Sequence, residues 1–96
     1  MSDTYSVTNN TAAHRFEVEI EGELAVLEYA ESATAVDLRH TEVPPALGGR
    51  GVGGALVAAG LEYAKQQGKR VIPTCPFVRS YVARHPKWNA IVTTEK

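Results

Sequence analysis

The sequence has one cysteine, no long apolar run and no group of metal-ligand residues, and each of these absences excludes a class of protein. A single cysteine, Cys75, cannot form an internal disulfide, so nothing in the chain calls for an oxidising compartment. Apolar runs stay well below the roughly 20 residues that a membrane-spanning helix needs, and we expect no secretory segment at the start of the chain. Three scattered histidines and the cysteine do not have zinc-ligand spacing. We therefore expect a cytoplasmic protein that holds no metal.

Charge is nearly balanced in total but divided along the chain. The net charge is −1, yet residues 1–49 carry nine acidic and two basic residues, and residues 50–96 carry eight basic and two acidic residues. The simpler interpretation is that the acidic residues and the basic residues form two separate solvated faces. The alternative is that the basic half attracts a polyanion and the acidic half a cationic partner. A nucleic acid is disfavoured as the polyanion, because the aromatic residues of the basic half have core-like spacing.

Hydrophobic periodicity predicts a single α+β domain over residues 14–96, with a mixed sheet of about four strands and two helices. Residues 1–13 are polar and aperiodic, and we expect them to form a disordered arm without chemistry. Three alternating segments predict antiparallel strands, and the third places Val36, Leu38 and His40 on one face.

A helix and a short strand are predicted after these three strands. The helix begins near Val52 and ends at Gly68, a typical residue for the position after a helix, and the strand contains Val71 and Ile72. A strand, helix and strand in this order form a right-handed crossover, so the third and fourth strands should be parallel neighbours. A second helix should follow Pro76, with Phe77 among its buried residues.

The stretch between the third strand and the first helix is rich in glycine and predicts an anion site. Residues 43–54 read Val-Pro-Pro-Ala-Leu-Gly-Gly-Arg-Gly-Val-Gly-Gly. Glycine tolerates positive φ, so consecutive N–H groups can point at one small volume, and the start of a helix adds unpaired amides and a positive dipole end. Arg50 can add a charge-assisted hydrogen bond. Such a loop suits a pyrophosphate.

Other interpretations of the glycines fit less well, or bind nothing. Gly49, Gly51 and Gly54 satisfy the dinucleotide pattern G-x-G-x-x-G, but no acidic residue occurs between Glu62 and Glu95 to hold a ribose, and the chain is too short for two mononucleotide-binding halves. A P-loop would end in Gly-Lys-Ser/Thr, which is missing. A ligand-free turn between strand and helix remains open on these residues alone.

The loop resembles the acyl-coenzyme A loop of the GCN5-related N-acetyltransferases, in which a strand leads through Val-x-Pro into Gln/Arg-x-x-Gly-x-Gly/Ala and a helix. Gly51 and Gly53 match the two small positions, and Gly48 stands where Gln or Arg is usual. Residues 74–88, Thr-Cys-Pro-Phe-Val-Arg-Ser-Tyr-Val-Ala-Arg-His-Pro-Lys-Trp, resemble the signature of a subfamily of very small, stand-alone acetyltransferase-like proteins. Together with His40, the resemblance covers about residues 14–88.

This resemblance implies a minimal version of the acyl-coenzyme A N-acyltransferase fold, with acetyl-coenzyme A as co-substrate and an unidentified amine as acceptor. The family's N-terminal helices have no counterpart in the sequence, so the acetyl end should be open to a large or protein-borne amine. The coenzyme-binding residues that the resemblance implies are Thr41, Val43, Gly48, Gly49, Arg50, Gly51, Val52, Gly53 and Gly54.

Cys75 and His40 are the candidate catalytic residues. A cysteine at the start of a helix has a lowered pKa, although an unpaired cysteine is usually a small buried hydrophobic residue. A lone histidine on an apolar strand face is more often a core residue than a catalyst. The resemblance favours catalysis for both, because the subfamily keeps a cysteine that faces the thioester and a histidine beside the pantetheine strand.

The sequence thus predicts an acetyl-coenzyme A-dependent N-acetyltransferase, as a monomer or weak homodimer without nucleic acid or membrane partners. The alternative is a non-catalytic module that binds or senses coenzyme A. Whether Cys75 accepts the acetyl group or only protonates the leaving thiolate stays open at this point.

Overall fold

The structure, a computed structural model of the chain, describes residues 5–93. Short 3-10 helices lie at Pro45–Leu47 and Pro86–Trp88. The main elements in chain order are β1 (Thr8–Asn10), β2 (Arg15–Ile20), β3 (Glu23–Glu31), β4 (Ala35–Glu42), α1 (Val52–Gln66), β5 (Arg70–Pro73) and α2 (Pro76–Ala83).

The strands form one sheet in the order β1-β2-β3-β4-β5. Neighbours from β1 to β4 are antiparallel, and β4 and β5 are parallel. The predicted parallel pair and its helical crossover are therefore confirmed. Helix α1 packs against β2 to β5, and α2 packs against α1, β4 and β5. We call the sheet face that carries buried Phe16 and Leu27 the helix face, and the opposite face, which carries Arg15 and Glu28, the open face.

Glycines decide where α1 ends and how closely it packs on the sheet. Gly68 has φ 69°, its N–H donates to the Lys65 carbonyl at 3.1 Å, and the next N–H donates to the Ala64 carbonyl at 2.9 Å. These paired bonds are a Schellman motif, so the predicted helix end is confirmed. Gly60 lies against the sheet, where an added Cβ would come within 3.2 to 3.4 Å of the Leu38 and Leu27 side chains.

The prediction of a disordered arm is wrong for residues 8–10, which form β1, so the sheet has five strands where about four were expected. Residues 1–4 of the predicted arm lie outside the described residues. Polar side-chain contacts, and not an apolar face, attach β1 to the sheet. The Asn10 Nδ2 group donates to Glu17 Oε2 at 3.0 Å, and the Tyr29 hydroxyl donates to Asn9 Oδ1 at 2.7 Å. Periodicity cannot show a strand that is held this way.

A β-bulge in β4 overturns the predicted strand face of His40. Leu38 pairs with Tyr29 and His40 pairs with Glu28, so Arg39 is an extra residue on β4. One extra residue reverses the alternation of side chains beyond it. His40 therefore lies on the open face with Glu28, and not beside Val36 and Leu38 on the helix face.

Candidate functional site

Strand β4 separates from its neighbour and leaves a wedge in the sheet. The last pair between β4 and β5 is Leu38 with Pro73, and residues 39–42 of β4 continue without a β5 partner. The Cys75 N–H donates to the Leu38 carbonyl at 3.0 Å and closes the base of the wedge. One wall is thus the free edge of β4, and the other is the chain that enters α2.

The free edge of β4 presents main-chain groups to this wedge. The Tyr29 N–H donates to the His14 carbonyl, so the main-chain groups of Tyr29 face β2. Those of Glu28, one residue earlier, therefore face β4, and those of its partner His40 face β3. Those of Thr41, one residue further, then face the wedge. An extended ligand with amide groups could pair with this edge as a neighbouring strand does.

The glycine loop carries a row of unpartnered amides. Within residues 5–93, none of the N–H groups of residues 49–54 donates to a carbonyl or side chain. Gly49 and Gly51 have φ 75° and 77°, and the φ of Arg50 between them is negative. This alternation curls successive N–H groups toward one point, and the first turn of α1 adds its own unpaired amides. The loop therefore fits an anionic group of the size of a pyrophosphate.

A cleft of about 290 Å³ joins the glycine loop to the mouth of the wedge. The cleft is lined by Val43, Leu47, Gly48, Gly49, Gly51, Val52, Gly53, Gly54 and Phe77. Phe77 was predicted to be buried, but its side chain is 41% exposed and forms a wall of the cleft. A Cβ added to Gly53 would lie 2.8 Å from the Phe77 ring, so Gly53 makes room for that ring.

Cys75 is the N-cap of α2, as its sequence position indicated, and its side chain contacts β4 across the wedge. It is 5% exposed, and Sγ lies 3.5 Å from the Thr41 hydroxyl on the helix face. Burial raises the pKa of the thiol, but hydrogen bonds from the Thr41 hydroxyl and from the Val78, Phe77 and Thr41 amides together hold the pKa below its ordinary value. The site thus favours a thiolate at the base of the wedge.

His40 and Arg50 are placed differently from Cys75. The His40 side chain is 59% exposed on the open face, and Nε2 lies 3.8 Å from Glu42 Oε1. The structure therefore does not bring His40 and Cys75 together on one face. Arg50 contacts Glu21 at 3.5 Å, so its guanidinium is directed to the β2–β3 hairpin. The amides of its loop, rather than this side chain, line the cleft.

A groove of about 450 Å³ lies on the open face next to His40. Leu24 and Val26 form an apolar part of its lining, Glu28 and Glu42 provide carboxylates, and Arg15 lines it as well. Arg15 is paired with Glu17, and the two groove carboxylates are exposed, with Glu42 lying 3.8 Å from His40. The groove can therefore accept a positively charged group on an aliphatic chain.

Replacing Thr41 with Val should raise the pKa of Cys75, because the isosteric side chain cannot donate a hydrogen bond to the thiolate. Titration of thiolate absorbance near 240 nm measures this directly, with Cys75→Ala as the blank, since the chain has a single cysteine. We expect the pKa of Cys75 to shift upward. Thr74→Val is the matched control, because the Thr74 hydroxyl bonds to Asp37 instead. An unchanged Cys75 titration in Thr41→Val would contradict the assignment.

Sequence reasoning missed the contacts that three residues make in this site. Thr41 was predicted to bind the coenzyme but not to contact Cys75, Phe77 was assigned to the core, and Tyr5 was assigned to a disordered arm. The Tyr5 hydroxyl donates to the Arg50 carbonyl at 2.6 Å. The position of Phe77 directly after Pro76 at a helix start was the one local signal for an exposed ring. Thr41 and Tyr5 carry no such signal, because their contacts are 34 and 45 residues away in sequence.

Comparison with protein families gives a match over most of the chain. Residues 15–91 match the family described as GCN5-related N-acetyl-transferase. Protein NATD1 of Xenopus tropicalis is 34% identical over 89 residues, which cover 88% of this chain and 81% of the relative. Protein NATD1 of Mus musculus is 34% identical over 83 residues, which cover 83% of this chain and 76% of the relative.

A solved structure has the same fold. A GCN5-like protein from Staphylococcus aureus, determined by NMR in solution, superimposes with a TM-score of 0.72 at 22% identity, over 96% of this chain and 91% of the other. This agreement confirms the predicted mixed-sheet fold. No helix in the part of the chain that the structure describes is long and apolar enough to cross a membrane. Among the same residues, no three His, Cys, Asp or Glu side chains are grouped to hold a metal ion.

Proposed function

Because the chain belongs to the GCN5-related N-acetyltransferase family, we propose that it transfers an acetyl group from acetyl-coenzyme A to an amine. One observation carries the proposal. Six amides without a partner among residues 5–93 lead into a cleft, and the cleft leads into a wedge with a thiol at its base. This order suits a ligand with an anionic end, an extended amide-bearing middle and a reactive thioester end.

The glycine loop is proposed to bind the pyrophosphate of the coenzyme. The amides of residues 49–54 supply the donors, and the departure from the family pattern at Gly48 removes only one side-chain contact. The free edge of β4 at Thr41, and Val43 beyond it, would pair with the amides of the pantetheine. Binding there would bring the thioester to the base of the wedge, beside Cys75.

Acyl transfer in this site forms one bond, breaks another and moves one proton. The nitrogen of a neutral amine attacks the thioester carbonyl, the new C–N bond forms, the C–S bond breaks, and the amine proton ends on the coenzyme thiolate. Cys75 lies on the helix-face side of β4 and His40 on the open-face side. An amine that arrives over the open face would meet His40, which is proposed to remove its proton directly or through water.

Cys75 has two possible parts in this reaction. As a thiol it protonates the departing coenzyme sulfur, and the amine proton then restores it through His40 or water. As a thiolate it takes the acetyl group first and the coenzyme thiolate leaves; the amine then attacks the acetyl-Cys75 thioester, its proton passes to His40 or water, and the Cys75 thiolate is regenerated. The lowered pKa of Cys75 favours the second route, because that route starts from the thiolate.

The acceptor is proposed to be a cationic amine on an aliphatic chain. The groove beside His40 combines the apolar side chains of Leu24 and Val26 with the carboxylates of Glu28 and Glu42. Since Leu24 is 43% exposed and the groove is open, a lysine side chain or a protein N-terminus could enter it.

A binding or sensing module is the second candidate, and the burial of Cys75 favours it. A side chain that is 5% exposed must be reached through the wedge before it can do chemistry. The module would use the same glycine loop and cleft but release no product.

Calorimetric titration with coenzyme A, followed by an assay of coenzyme thiol release, tests the two candidates. We expect coenzyme A to bind more tightly than an oligonucleotide of equal charge, and acetyl-coenzyme A to be consumed faster when polylysine is present. Binding without any thiol release would favour the sensing module. Tighter, salt-dependent binding of the oligonucleotide would contradict both candidates.

A further inference from the structure

The N-terminal segment is held against the sheet by specific side-chain contacts and reaches the glycine loop. The hydrogen bonds of Asn9 and Asn10 to Tyr29 and Glu17 hold β1 along β2. Thr8 pairs with Glu17, so the chain before β1 runs toward the end of β2. That end is the Glu21–Gly22 turn, where the glycine loop also lies.

Two contacts tie the loop to this end of the sheet, and both involve Arg50. The Tyr5 hydroxyl donates to the Arg50 carbonyl at 2.6 Å, and Glu21 contacts the Arg50 guanidinium at 3.5 Å. One contact holds the main chain of the loop, and the other holds its one charged side chain.

The contact with Tyr5 sets the direction of one amide of the loop. In a trans peptide the carbonyl and the following N–H point in opposite directions, so a carbonyl held by Tyr5 turns the Gly51 N–H away from Tyr5. Gly51 lines the cleft, has φ 77°, and would meet nothing within 4 Å if it carried a Cβ. With glycines on both sides of Arg50, the peptide would otherwise rotate at little steric cost.

We propose that Tyr5 is a positioning residue of the coenzyme site, which keeps the Gly51 N–H directed into the cleft. The inference rests on the proposed function, because it assumes that the loop binds the pyrophosphate. Preorganised donors bind an anion more tightly than donors that must first be ordered, since the entropy of ordering has already been lost on folding. The N-terminal segment therefore contributes to affinity without touching the ligand.

Tyr5→Phe removes the hydroxyl and keeps the ring that packs against the core. We expect the Kd for coenzyme A, measured by calorimetry, to rise about three- to tenfold, as for the loss of one hydrogen bond. Binding of pantetheine, which has no pyrophosphate, should be unchanged. Tyr63→Phe is the matched control, because it loses a hydroxyl that bonds to Glu31, away from the loop. Its affinity for coenzyme A should stay at the wild-type value.

Three results would overturn the inference. The first is unchanged coenzyme A affinity in Tyr5→Phe while a loop variant, Gly51→Ala, binds more weakly. The second is an equal loss for coenzyme A and pantetheine, and the third is an equal loss in Tyr63→Phe, since either would indicate general destabilisation. Wild-type protein that binds no coenzyme A would instead refute the proposed function itself.

Discussion

Cys75→Ala should lower acetyl transfer to an amine at least about 100-fold while the Kd for coenzyme A stays within about twofold of wild type. The amides proposed to bind the pyrophosphate lie in the glycine loop, and the thiol lies at the base of the wedge, so the two contributions should be separable. A small buried side chain is replaced by a slightly smaller one, and the core around Val78 should tolerate this. Thiol release from acetyl-coenzyme A gives the rate, and calorimetry gives the affinity.

Two further measurements make this result specific. If Cys75 accepts the acetyl group, mass spectrometry of wild-type protein quenched with acid should show one added acetyl group. Cys75→Ala treated in the same way should lack it. His40→Ala should also lower turnover, because the attacking amine loses the group proposed to take its proton, but it should leave any acetyl-Cys75 to accumulate. Unchanged turnover in both variants would contradict the catalytic roles of Cys75 and His40.

The order of elements from β2 onward could be predicted because local rules determine it. The turn at Gly68 ends α1 through its own main-chain bonds, and the crossover from β4 through α1 to β5 has one favoured hand. The glycine loop was recognised for the same reason, since positive φ at Gly49 and Gly51 is a local requirement of glycine-rich turns. These features need no knowledge of what lies across the sheet.

The details of the site depend on pairing between strands and could not be predicted. The alternation of Val36, Leu38 and His40 continues unbroken in the sequence, and only the pairing with β3 shows that Arg39 is an extra residue. That single residue moves His40 to the open face and Thr41 to the face of Cys75. The bulge therefore determines which side chain reaches the thiol, and a one-residue change in register would exchange the two.

The acidic and basic halves of the sequence lie on opposite faces of the sheet. The acidic half of the chain forms β2, β3 and β4, whose polar residues line the open face. The basic half forms the helices on the other face, next to the glycine loop. An anionic coenzyme and a cationic amine would thus approach β4 from opposite sides, and the wedge is where they meet.

Gly51→Ala should raise the Kd for coenzyme A about tenfold or more, because it disturbs the loop at the amide that faces the proposed pyrophosphate. Gly51 has φ 77°, which costs a residue with a Cβ about 1–2 kcal/mol. The loop should therefore change its conformation, so that its N–H groups no longer point at the proposed anion. Gly53 is a poorer choice, because a Cβ there meets the Phe77 ring at 2.8 Å and would disturb α2 as well.

Gly68→Ala is the matched control for this substitution. Gly68 has φ 69°, also has nothing within 4 Å of an added Cβ, and lies at the opposite end of α1. Both variants should lose similar thermal stability, since the same backbone strain is introduced, but only Gly51→Ala should lose affinity. Calorimetry with coenzyme A, beside thermal unfolding of both variants, separates strain from binding. Equal affinities in the two variants at equal stability would show that the glycine loop does not bind the coenzyme.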